Sequence, residues 1–135
     1  MQKRRIEPIH ADNRGYIADV LYKHPIDHVG IIDTVAKSIR GNHYHKLSTQ
    51  HILITKGSLE YWYKPLGSSE AAQFVLLREY DFVTTPPEEI HALRMLEDNQ
   101  FIVLSEGLRG GVDYEQDTYR TDSIIPAELR LATGQ

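Results

Sequence analysis

The sequence contains no cysteine among its 135 residues. Disulfide bonds and thiol nucleophiles are therefore excluded, because both require the cysteine sulfur. A bound metal ion would have to be held by imidazole nitrogens, by amide or carboxylate oxygens, or by a mixture of these groups. The chain carries 7 histidines, so a metal site stays possible without any sulfur ligand.

Long apolar runs and a basic surface are also missing. No stretch approaches the roughly 20 apolar residues of a membrane-spanning helix, and the segment after Met1–Arg5 is not the apolar core of a secretion signal. We therefore predict a cytoplasmic protein without a membrane partner. The 15 basic residues are outnumbered by 19 acidic ones, which gives a net charge of -4. Nucleic acid is consequently not an expected partner.

Short strand-like segments make up most of the chain. Aromatic and β-branched residues cluster, with turn-forming residues between the clusters, at residues 16–22, 29–39, 58–63, 74–77 and 100–105. This pattern predicts an all-β sandwich or barrel rather than alternating strands and helices.

The length of the chain predicts a single domain. We place this domain at residues 1–122, with an extended arm at residues 1–11. Residues 123–135 form a C-terminal tail. Its sequence is equally compatible with one or two helical turns and with disorder.

Two histidines two residues apart form the most informative motif. Side chains alternate between the faces of a sheet along a strand, so His43 and His45 point to the same side. Gln50 follows five residues after the second histidine, and Gly57 lies where the strand has to turn. With Gly41 in front, the spacing is G-x-H-x-H-x4-Q-x6-G.

A proline turn supplies a third histidine at the end of the run Pro86–His91. If this histidine joins His43, His45 and Gln50, three imidazoles and one amide oxygen form a suitable ligand set for Zn, Ni, Mn or Fe. An isolated H-x-H pair is more often two solvated or core histidines. The joint spacing of both motifs favours a functional site.

These two motifs resemble the two motifs of the cupin superfamily. In that family the position of Gln50 more often carries glutamate, and the position of Glu88 usually carries glycine. The resemblance implies an all-β cupin barrel, that is, a jelly roll or double-stranded β-helix, with an N-terminal strand arm. It also implies that His43, His45, Gln50 and His91 meet inside the barrel.

Several shorter runs resemble cupins that act on nucleotide-activated deoxysugars. Asp12–Tyr16 is similar to the D-x-R-G-x-aromatic run of dTDP-4-dehydrorhamnose 3,5-epimerases, and Arg40–Tyr44 is similar to their R-G-L-H-Y. Arg40–Lys46 followed by Gln50 resembles the R-G-x-H-A-H-K…Q signature of dTDP-4-keto-6-deoxyhexose 3,4-ketoisomerases, which usually have alanine in place of Tyr44. The letters R-G-N-H-Y-H also resemble the cupin domain of bifunctional capsular polysaccharide enzymes.

The resemblance implies an isomerase or epimerase of a nucleotide-linked 4-keto-6-deoxysugar, with dTDP or UDP as the nucleotide, in surface polysaccharide biosynthesis. Such a reaction removes a proton next to a ketone and returns a proton elsewhere. Imidazole suits both steps, so His43 and His45 are the candidate catalytic residues. The intermediate enediolate needs a donor or a cation, which Gln50, His91, a tyrosine or a metal would supply. The scheme requires no cofactor.

Cationic and aromatic residues in or near the motifs are the candidates for substrate binding. Arginine and lysine bind phosphate oxygens, and tyrosine offers both a ring face and a hydroxyl. We assign substrate binding to Arg14, Arg40, Lys46, Tyr61 and Tyr63. Tyr114 and Tyr119 lie in the run Asp113–Arg120, which resembles the C-terminal D-Y-x-x-D-x-x-R run of sugar cupins and is equally compatible with a solvated closing segment.

Other histidines are expected outside the site. His51 alternates to the face opposite Gln50, and His10, His24 and His28 belong to no spacing pattern, which favours the surface.

Two further functions stay open at this point. The same ligand set would serve a metal-dependent cupin enzyme that acts on a small oxygenated molecule. A barrel with tyrosines and Trp62 would also suit a non-catalytic sugar-binding domain. In each case we expect a homodimer, because the open sheet edge of such a barrel can be covered by the N-terminal strand of a partner.

Overall fold

Antiparallel strands dominate the computed structural model, which describes residues 1–107, 110–113 and 115–133. The helical elements of this described chain are one 3₁₀ turn at Gly111–Asp113 and one α-helix, α1, at Ala127–Thr133. The all-β prediction is confirmed. The strands are β1 (Gln2–Arg5), β2 (Pro8–Asp12), β3 (Gly15–Ala18), β4 (His28–Thr34), β5 (Ile39–Tyr44), β6 (Thr49–Lys56), β7 (Leu59–Pro65), β8 (Gln73–Leu77), β9 (Asp81–Thr85), β10 (Glu89–Met95), β11 (Asn99–Glu106) and β12 (Tyr119–Arg120).

Two five-stranded sheets form the barrel. The first has the order β1-β9-β6-β11-β4, and the second has the order β12-β5-β10-β7-β8, while β2 and β3 form a separate hairpin. From β4 to β12 the chain alternates between the two sheets, except at the β7–β8 hairpin. Residues that are distant in the sequence therefore meet in the space between the sheets.

The hydrophobic core lies between the sheets and draws on both of them. Along β11, buried and partly buried positions alternate, as expected for a strand with one face toward the interior. Ile54 and Phe101 come from the first sheet, and Leu59 and Met95 come from the second; all four are nearly inaccessible to solvent. Burying a side chain of this size contributes about 1.5–3 kcal/mol to folding.

The N-terminal arm covers a sheet edge of its own chain. β1 pairs with β9, with Gln2 opposite Thr84 and Arg5 opposite Asp81. The Arg5 guanidinium also lies 3.1 Å from the Asp81 carboxylate. The edge that we expected a partner's N-terminal strand to cover is thus occupied within one chain, and the homodimer stays a prediction.

One strand expected from the sequence is divided in two. The segment 29–39 contains all of β4 except its first residue and only the first residue of β5, with a turn between the two strands. Lys37 adopts a left-handed φ of 72°, and the Ser38 hydroxyl donates a hydrogen bond to the Val35 carbonyl at 2.6 Å. Local side-chain to backbone bonding of this kind competes with the strand ladder, and hydrophobicity alone does not reveal it.

The C-terminal tail folds against the outside of the second sheet. α1 follows Ile125, which is 2% exposed and packs with Trp62 and Ala92. Of the two alternatives for the tail, the structure shows the helical one at Ala127–Thr133. The domain boundary after residue 122 stays a prediction. Within the residues that the structure describes, no helix is long and apolar enough to cross a membrane.

Candidate active site

Three histidines, which we call the inner trio, meet between the sheets. The register of β5 and β10 places His43 opposite His91, and His45 directly follows the end of β5. The ring centroids lie 4.7 Å apart for His43 and His91, 5.2 Å for His43 and His45, and 5.4 Å for His45 and His91. All three side chains are almost fully buried. The two motifs thus bring their histidines together.

A β-bulge sets the position of this trio. The register between β5 and β10 shifts at His91, so that Asn42 is the extra residue on β5. Gly41 has a φ of 92°, and a Cβ there would lie 2.8 Å from the His91 carbonyl oxygen. Glycine is therefore required for the close approach of the two strands. Asn42, with a φ of 59°, accepts a hydrogen bond on its side-chain oxygen from the Ile124 amide.

The proline turn keeps the conformation of a glycine turn although it lacks the glycine. Glu88 occupies the position usually held by glycine, and its φ is 64°. Its amide donates to the His45 carbonyl at 2.6 Å, and its carbonyl accepts from the Leu66 amide at 2.9 Å. These two bonds hold the left-handed residue and connect the turn to the histidine motif.

Asp117 orients the second histidine of the motif. Its backbone carbonyl accepts a hydrogen bond from His45 Nδ1 at 2.7 Å. Since a carbonyl can only accept, the hydrogen lies on Nδ1, and Nε2 is the acceptor nitrogen of the neutral ring. The Asp117 carboxylate accepts from the amides of Lys46, Leu47 and Ser48 at 2.8–3.0 Å. Burial alone would raise the pKa of this carboxyl, but the three amides together lower the pKa below its ordinary value.

A cavity of about 320 Å³ opens beside the trio. Aliphatic and aromatic side chains form much of its wall, and a few polar groups converge on it, as in most small-molecule sites. His43 and His91 line this cavity, while His45 does not. Its other lining residues are Ile32, Ile39, Arg40, Gly41, Gln50, Ile52, Tyr61, Thr85, Leu93, Phe101, Val103, Glu115 and Arg120.

Tyr61 lines the cavity as a neutral hydrogen-bonding group. Burial, followed by the charge of Glu89, raises the pKa of its hydroxyl well above the ordinary value. The hydroxyl donates to Glu89 at 3.2 Å and contacts the Thr85 hydroxyl. Its ring lies parallel to that of His91, with 6.1 Å between centroids. Tyr61 therefore keeps its proton at neutral pH and is unsuited to act as a base.

Two arginines line the cavity near its acidic residue. Arg40 lies on β5, and Arg120 lies on β12, directly opposite His43 in the register. The Arg120 guanidinium is 2.5 Å from the Glu115 carboxylate. The sequence assigned a site role to Arg40 and none to Arg120, although Arg120 is the last residue of the D-Y-x-x-D-x-x-R run. That run was the available signal.

The other predicted substrate-binding residues lie away from the cavity wall. Arg14 is on the β2–β3 hairpin, 2.7 Å from the Asp12 carboxylate, and its hydrogen bonds lower the pKa of Asp12 to about 2. Lys46 Nζ is 4.1 Å from the centroid of the Tyr119 ring. The Tyr63 hydroxyl donates to Gln73 at 3.2 Å. Their assigned roles stay predictions.

Trp62 does not belong to this cavity. Its ring stacks on Phe74 with 4.6 Å between centroids, and its indole nitrogen donates to Glu60 at 3.1 Å. Because residues alternate along β7, Trp62 faces away from Tyr61, and the expectation that it stacks on a sugar in the barrel is wrong. Tyr114 lies outside the described residues.

The inner trio also fits a metal ion. One ring nitrogen of each histidine lies within 4.8 Å of the corresponding nitrogens of the other two. Zinc binds imidazole nitrogens at about 2.0–2.1 Å, so small side-chain shifts would bring all three to one ion. Gln50, buried and part of the same cavity wall, offers an amide oxygen nearby.

Comparison with known proteins agrees with this architecture. The family model of the polysaccharide biosynthesis C-terminal domain matches residues 10–107, which is more than half of the chain. No curated protein sequence matches.

Solved structures of sugar-nucleotide enzymes share the fold. A 3,4-ketoisomerase from Helicobacter canadensis is 17% identical, with 99% of this chain and 97% of that chain covered and a TM-score of 0.74. A mutant of the 3,4-ketoisomerase QdtA from Thermoanaerobacterium thermosaccharolyticum, in complex with TDP-4-keto-6-deoxyglucose, is 20% identical, with 89% and 86% covered and a TM-score of 0.72. The dTDP-4-dehydrorhamnose 3,5-epimerase from Sulfolobus tokodaii is 18% identical, with 90% and 76% covered and a TM-score of 0.72. The predicted cupin jelly-roll fold is confirmed.

Proposed function

Because the chain belongs to the polysaccharide biosynthesis C-terminal domain family, we propose that it isomerises or epimerises a nucleotide-linked 4-keto-6-deoxysugar during surface polysaccharide biosynthesis. The observation that carries this proposal is the cavity between the sheets, where His43, His91 and Gln50 face apolar walls. The names of the similar structures, two 3,4-ketoisomerases and a 3,5-epimerase, support the same class of reaction.

His43 is the proposed base because it lines the cavity. It takes the proton from C3, next to the ketone at C4, and the electron pair of the broken C–H bond generates an enediolate. In an isomerisation, a proton returns to C4, and the C3 hydroxyl proton moves to the former carbonyl oxygen. C4 then carries the alcohol, and the ketone lies at C3. Return of the proton to the opposite face of C3 inverts that carbon instead. Both outcomes conserve every atom. His45 lies outside the cavity wall, with its ring centroid 5.2 Å from that of His43, and is the proposed second proton carrier through His43.

Neutral donors stabilise the oxygen charge of the enediolate in this proposal. Gln50 lines the cavity and offers N–H groups, and Tyr61 keeps its hydroxyl proton because its pKa is raised. His91 donates from Nδ1 to the Glu89 carbonyl at 3.2 Å, so its neutral ring has Nε2 as an acceptor and is not one of these donors. Preorganised donors in a water-poor cavity stabilise developing charge more strongly than the same groups in water. This arrangement supports the chemistry without a required cofactor.

Arg40 and Arg120 are the proposed ligands of the substrate diphosphate, whether the nucleotide is dTDP or UDP. Both line the cavity that holds the reacting histidines. Guanidinium groups form paired, charge-assisted hydrogen bonds with phosphate oxygens. In the structure the Glu115 carboxylate contacts Arg120. We therefore expect the substrate diphosphate to displace this carboxylate from Arg120 or to bind Arg120 beside it.

Deuterium exchange tests the proposal. In deuterium oxide, the wild-type protein should incorporate solvent deuterium into dTDP-4-keto-6-deoxyglucose, and the His43→Asn, His45→Asn double variant should not. The matched control is His10→Asn, a substitution on the exposed β2–β3 hairpin. Binding of the sugar nucleotide without exchange in the wild type would contradict catalysis and favour the non-catalytic sugar-binding domain.

A metal-dependent cupin enzyme for a small oxygenated substrate is the second candidate. The observation in its favour is the distance of at most 4.8 Å between the ligand nitrogens of His43, His45 and His91. These residues, with Gln50 as a fourth ligand, would hold Zn, Ni, Mn or Fe, and the ion would supply a Lewis acid. Stoichiometric metal in protein purified without added metal or chelator, lost in the double variant, would favour this candidate.

The protein is further proposed to be a cytoplasmic homodimer. Support comes from the edge strand β4, on which Val29 and Ile31 are 62% and 66% exposed. Apolar side chains on an exposed edge strand favour pairing with a second copy. Light scattering that gives the mass of one chain would contradict the dimer.

A further inference from the structure

A second cluster of titratable side chains lies on the outer face of the first sheet, away from the cavity. We call it the outer trio: His24, His51 and Glu106. Nε2 of His51 lies 2.7 Å from Glu106 Oε2, and Nε2 of His24 lies 2.9 Å from the same oxygen. The three ligand atoms are all within 4.8 Å of one another.

Strand alternation builds two corners of this cluster. Glu106 on β11 pairs with Thr49 on β6, and His51 lies two residues after Thr49 on that strand. Thr49 and His51 share one face of β6, and Glu106 stands on the same face of the sheet. Gln50, between them, points to the cavity. The outer pair is therefore fixed by the same two strands that support the cavity wall.

The third corner comes from a loop that is tied to the same strand end. His24 belongs to the segment before β4, in which the Asp27 amide donates to the Ser105 carbonyl at 2.9 Å. The Asp27 carboxylate also accepts from the Gly107 amide at 2.7 Å. These bonds flank Glu106 on both sides along the chain, so the loop is held where His24 reaches the carboxylate.

His51 has the orientation of a metal-binding histidine. It is 3% exposed, its ring stacks against Phe82 with 5.5 Å between centroids, and its Nδ1 lies 2.8 Å from the Thr84 hydroxyl oxygen. Because a carboxylate only accepts, Nε2 donates to Glu106 in the metal-free protein, and the Thr84 hydroxyl can donate to Nδ1. An ion that takes the place of the Nε2 hydrogen moves the ring hydrogen to Nδ1, where the Thr84 hydroxyl oxygen can accept it. Nε2 is the nitrogen that faces Glu106 and His24.

From this geometry we propose that the outer trio binds one zinc ion, with His24 and His51 as nitrogen ligands and Glu106 as the oxygen ligand. Two imidazoles and one carboxylate are a known zinc ligand set, which leaves a fourth position for water. The ion connects the loop before β4 to β6 and β11. Because only the folded chain brings the three ligands together, zinc stabilises the fold by an amount that rises with the logarithm of the free zinc concentration above the Kd.

Equilibrium dialysis against zinc chloride tests the site without any measurement of activity. Zinc is counted in the wild type and in His24→Gln and Glu106→Gln, which change partly exposed side chains and are expected to leave the core intact. The matched control is His10→Gln, on the β2–β3 hairpin. Each trio variant should bind one zinc fewer than the wild type, and the control should bind the same number.

Three further variants separate the outer trio from the inner one and test the orientation of His51. In the His43→Asn, His45→Asn background one equivalent of zinc should remain, and added His24→Gln should remove it. Thr84→Val removes only the group that orients His51, and zinc affinity should fall about 10–100-fold. Zinc should also raise the melting temperature of the wild type but not that of His24→Gln.

The proposal is overturned if His24→Gln and Glu106→Gln bind as much zinc as the wild type. It is equally overturned if the folded inner-trio variant binds none. If that variant does not fold, the comparison of the wild type with His24→Gln still decides. None of these results depends on whether the protein acts on a sugar nucleotide.

Discussion

The two histidine clusters differ in the charge that accompanies them, although β6 separates them by the thickness of one sheet. The inner trio has three imidazoles beside neutral donors such as Gln50 and Tyr61. The outer trio has two imidazoles and the Glu106 carboxylate. A hydrogen bond from His24 lowers the pKa of that carboxyl against the effect of burial, and His51 lowers it further. The outer cluster therefore contains a carboxylate that is ionised near neutral pH, and the inner cluster has no carboxylate among its three members.

This difference explains why similar residues suit different tasks. A group that receives and returns a proton works best when no fixed counter-charge holds it in one protonation state. A group that retains a cation benefits from a negative ligand. The two clusters share one device, since Nδ1 of His45 is fixed by the Asp117 carbonyl and Nδ1 of His51 by the Thr84 hydroxyl. Each trio thus has a histidine ring held by a hydrogen bond at Nδ1, and the two trios differ in that only the outer one contains a carboxylate.

Loss of the cavity-facing imidazole is the strongest test of this contrast. For His43→Asn we expect kcat for the sugar nucleotide to fall by about 10²–10⁴, the range for loss of a general base. His10→Asn should keep the wild-type rate. Steady-state kinetics, with circular dichroism to confirm folding, checks both variants. If kcat of His43→Asn lies within about threefold of the wild-type value, His43 is not the base, and the proposed difference in function between the two trios is wrong.

In our proposal the positive charge near the inner trio comes from arginine. The Arg120→Gln variant tests whether this charge binds the substrate diphosphate. The substitution removes the guanidinium but keeps a hydrogen-bonding side chain at the cavity. We expect KM to rise about tenfold with kcat nearly unchanged, as for an interaction equally present in the ground and transition states. Arg78→Gln, an exposed substitution away from the cavity, is the control. An unchanged KM for Arg120→Gln would argue against diphosphate binding there.

Asp117 supports only the inner trio, so its variant measures how far that support extends. Asp117→Asn exchanges an acceptor of three amide hydrogen bonds for a neutral amide, and we expect a loss of about 1–3 kcal/mol in the free energy of unfolding at pH 7. Urea denaturation measures it, with the exposed Asp122→Asn as the control. A loss no larger than that of the control would contradict the assigned role.

We also expect the stability difference between the wild type and Asp117→Asn to depend on pH. The pKa of the folded Asp117 carboxyl lies below its ordinary value, so its stabilisation is complete above that ordinary value and is lost as the pH falls through the folded pKa. The stability difference between wild type and Asp117→Asn should therefore be constant near neutral pH and shrink below about pH 4. A difference that stays constant down to pH 2.5 would disprove this assignment.

The smallest effect is expected at the turn that delivers His91. Glu88→Gly relieves a left-handed conformation at φ 64° and should raise the free energy of unfolding by about 0.5–1 kcal/mol. Glu70→Gly, in an exposed loop without positive φ, should be neutral or slightly destabilising. Chemical denaturation of both variants gives the comparison. Equal effects at the two positions would show that Glu88 is not strained.

The sequence predicts those parts of the site that depend on local spacing. His43 and His45 share a face because of strand alternation, and Gly57 marks the turn with a φ of 81°. Arg120 could not be placed, because its position depends on β12 pairing with β5 across some 76 residues of chain. Trp62 was misplaced because alternation tells which residues share a face, but not which face is the interior.

The bond between Asp117 and the histidine motif also determines the order in which the site can be completed. During synthesis from the N-terminus, β5, β6 and β10 are made well before residue 117, so the inner histidines can pair while His45 still lacks its Nδ1 acceptor. A ribosome-bound or prematurely terminated chain that ends before this residue would carry the trio without its fixed tautomer. The tautomer of one histidine in the motif therefore depends on a residue 72 positions further along the chain.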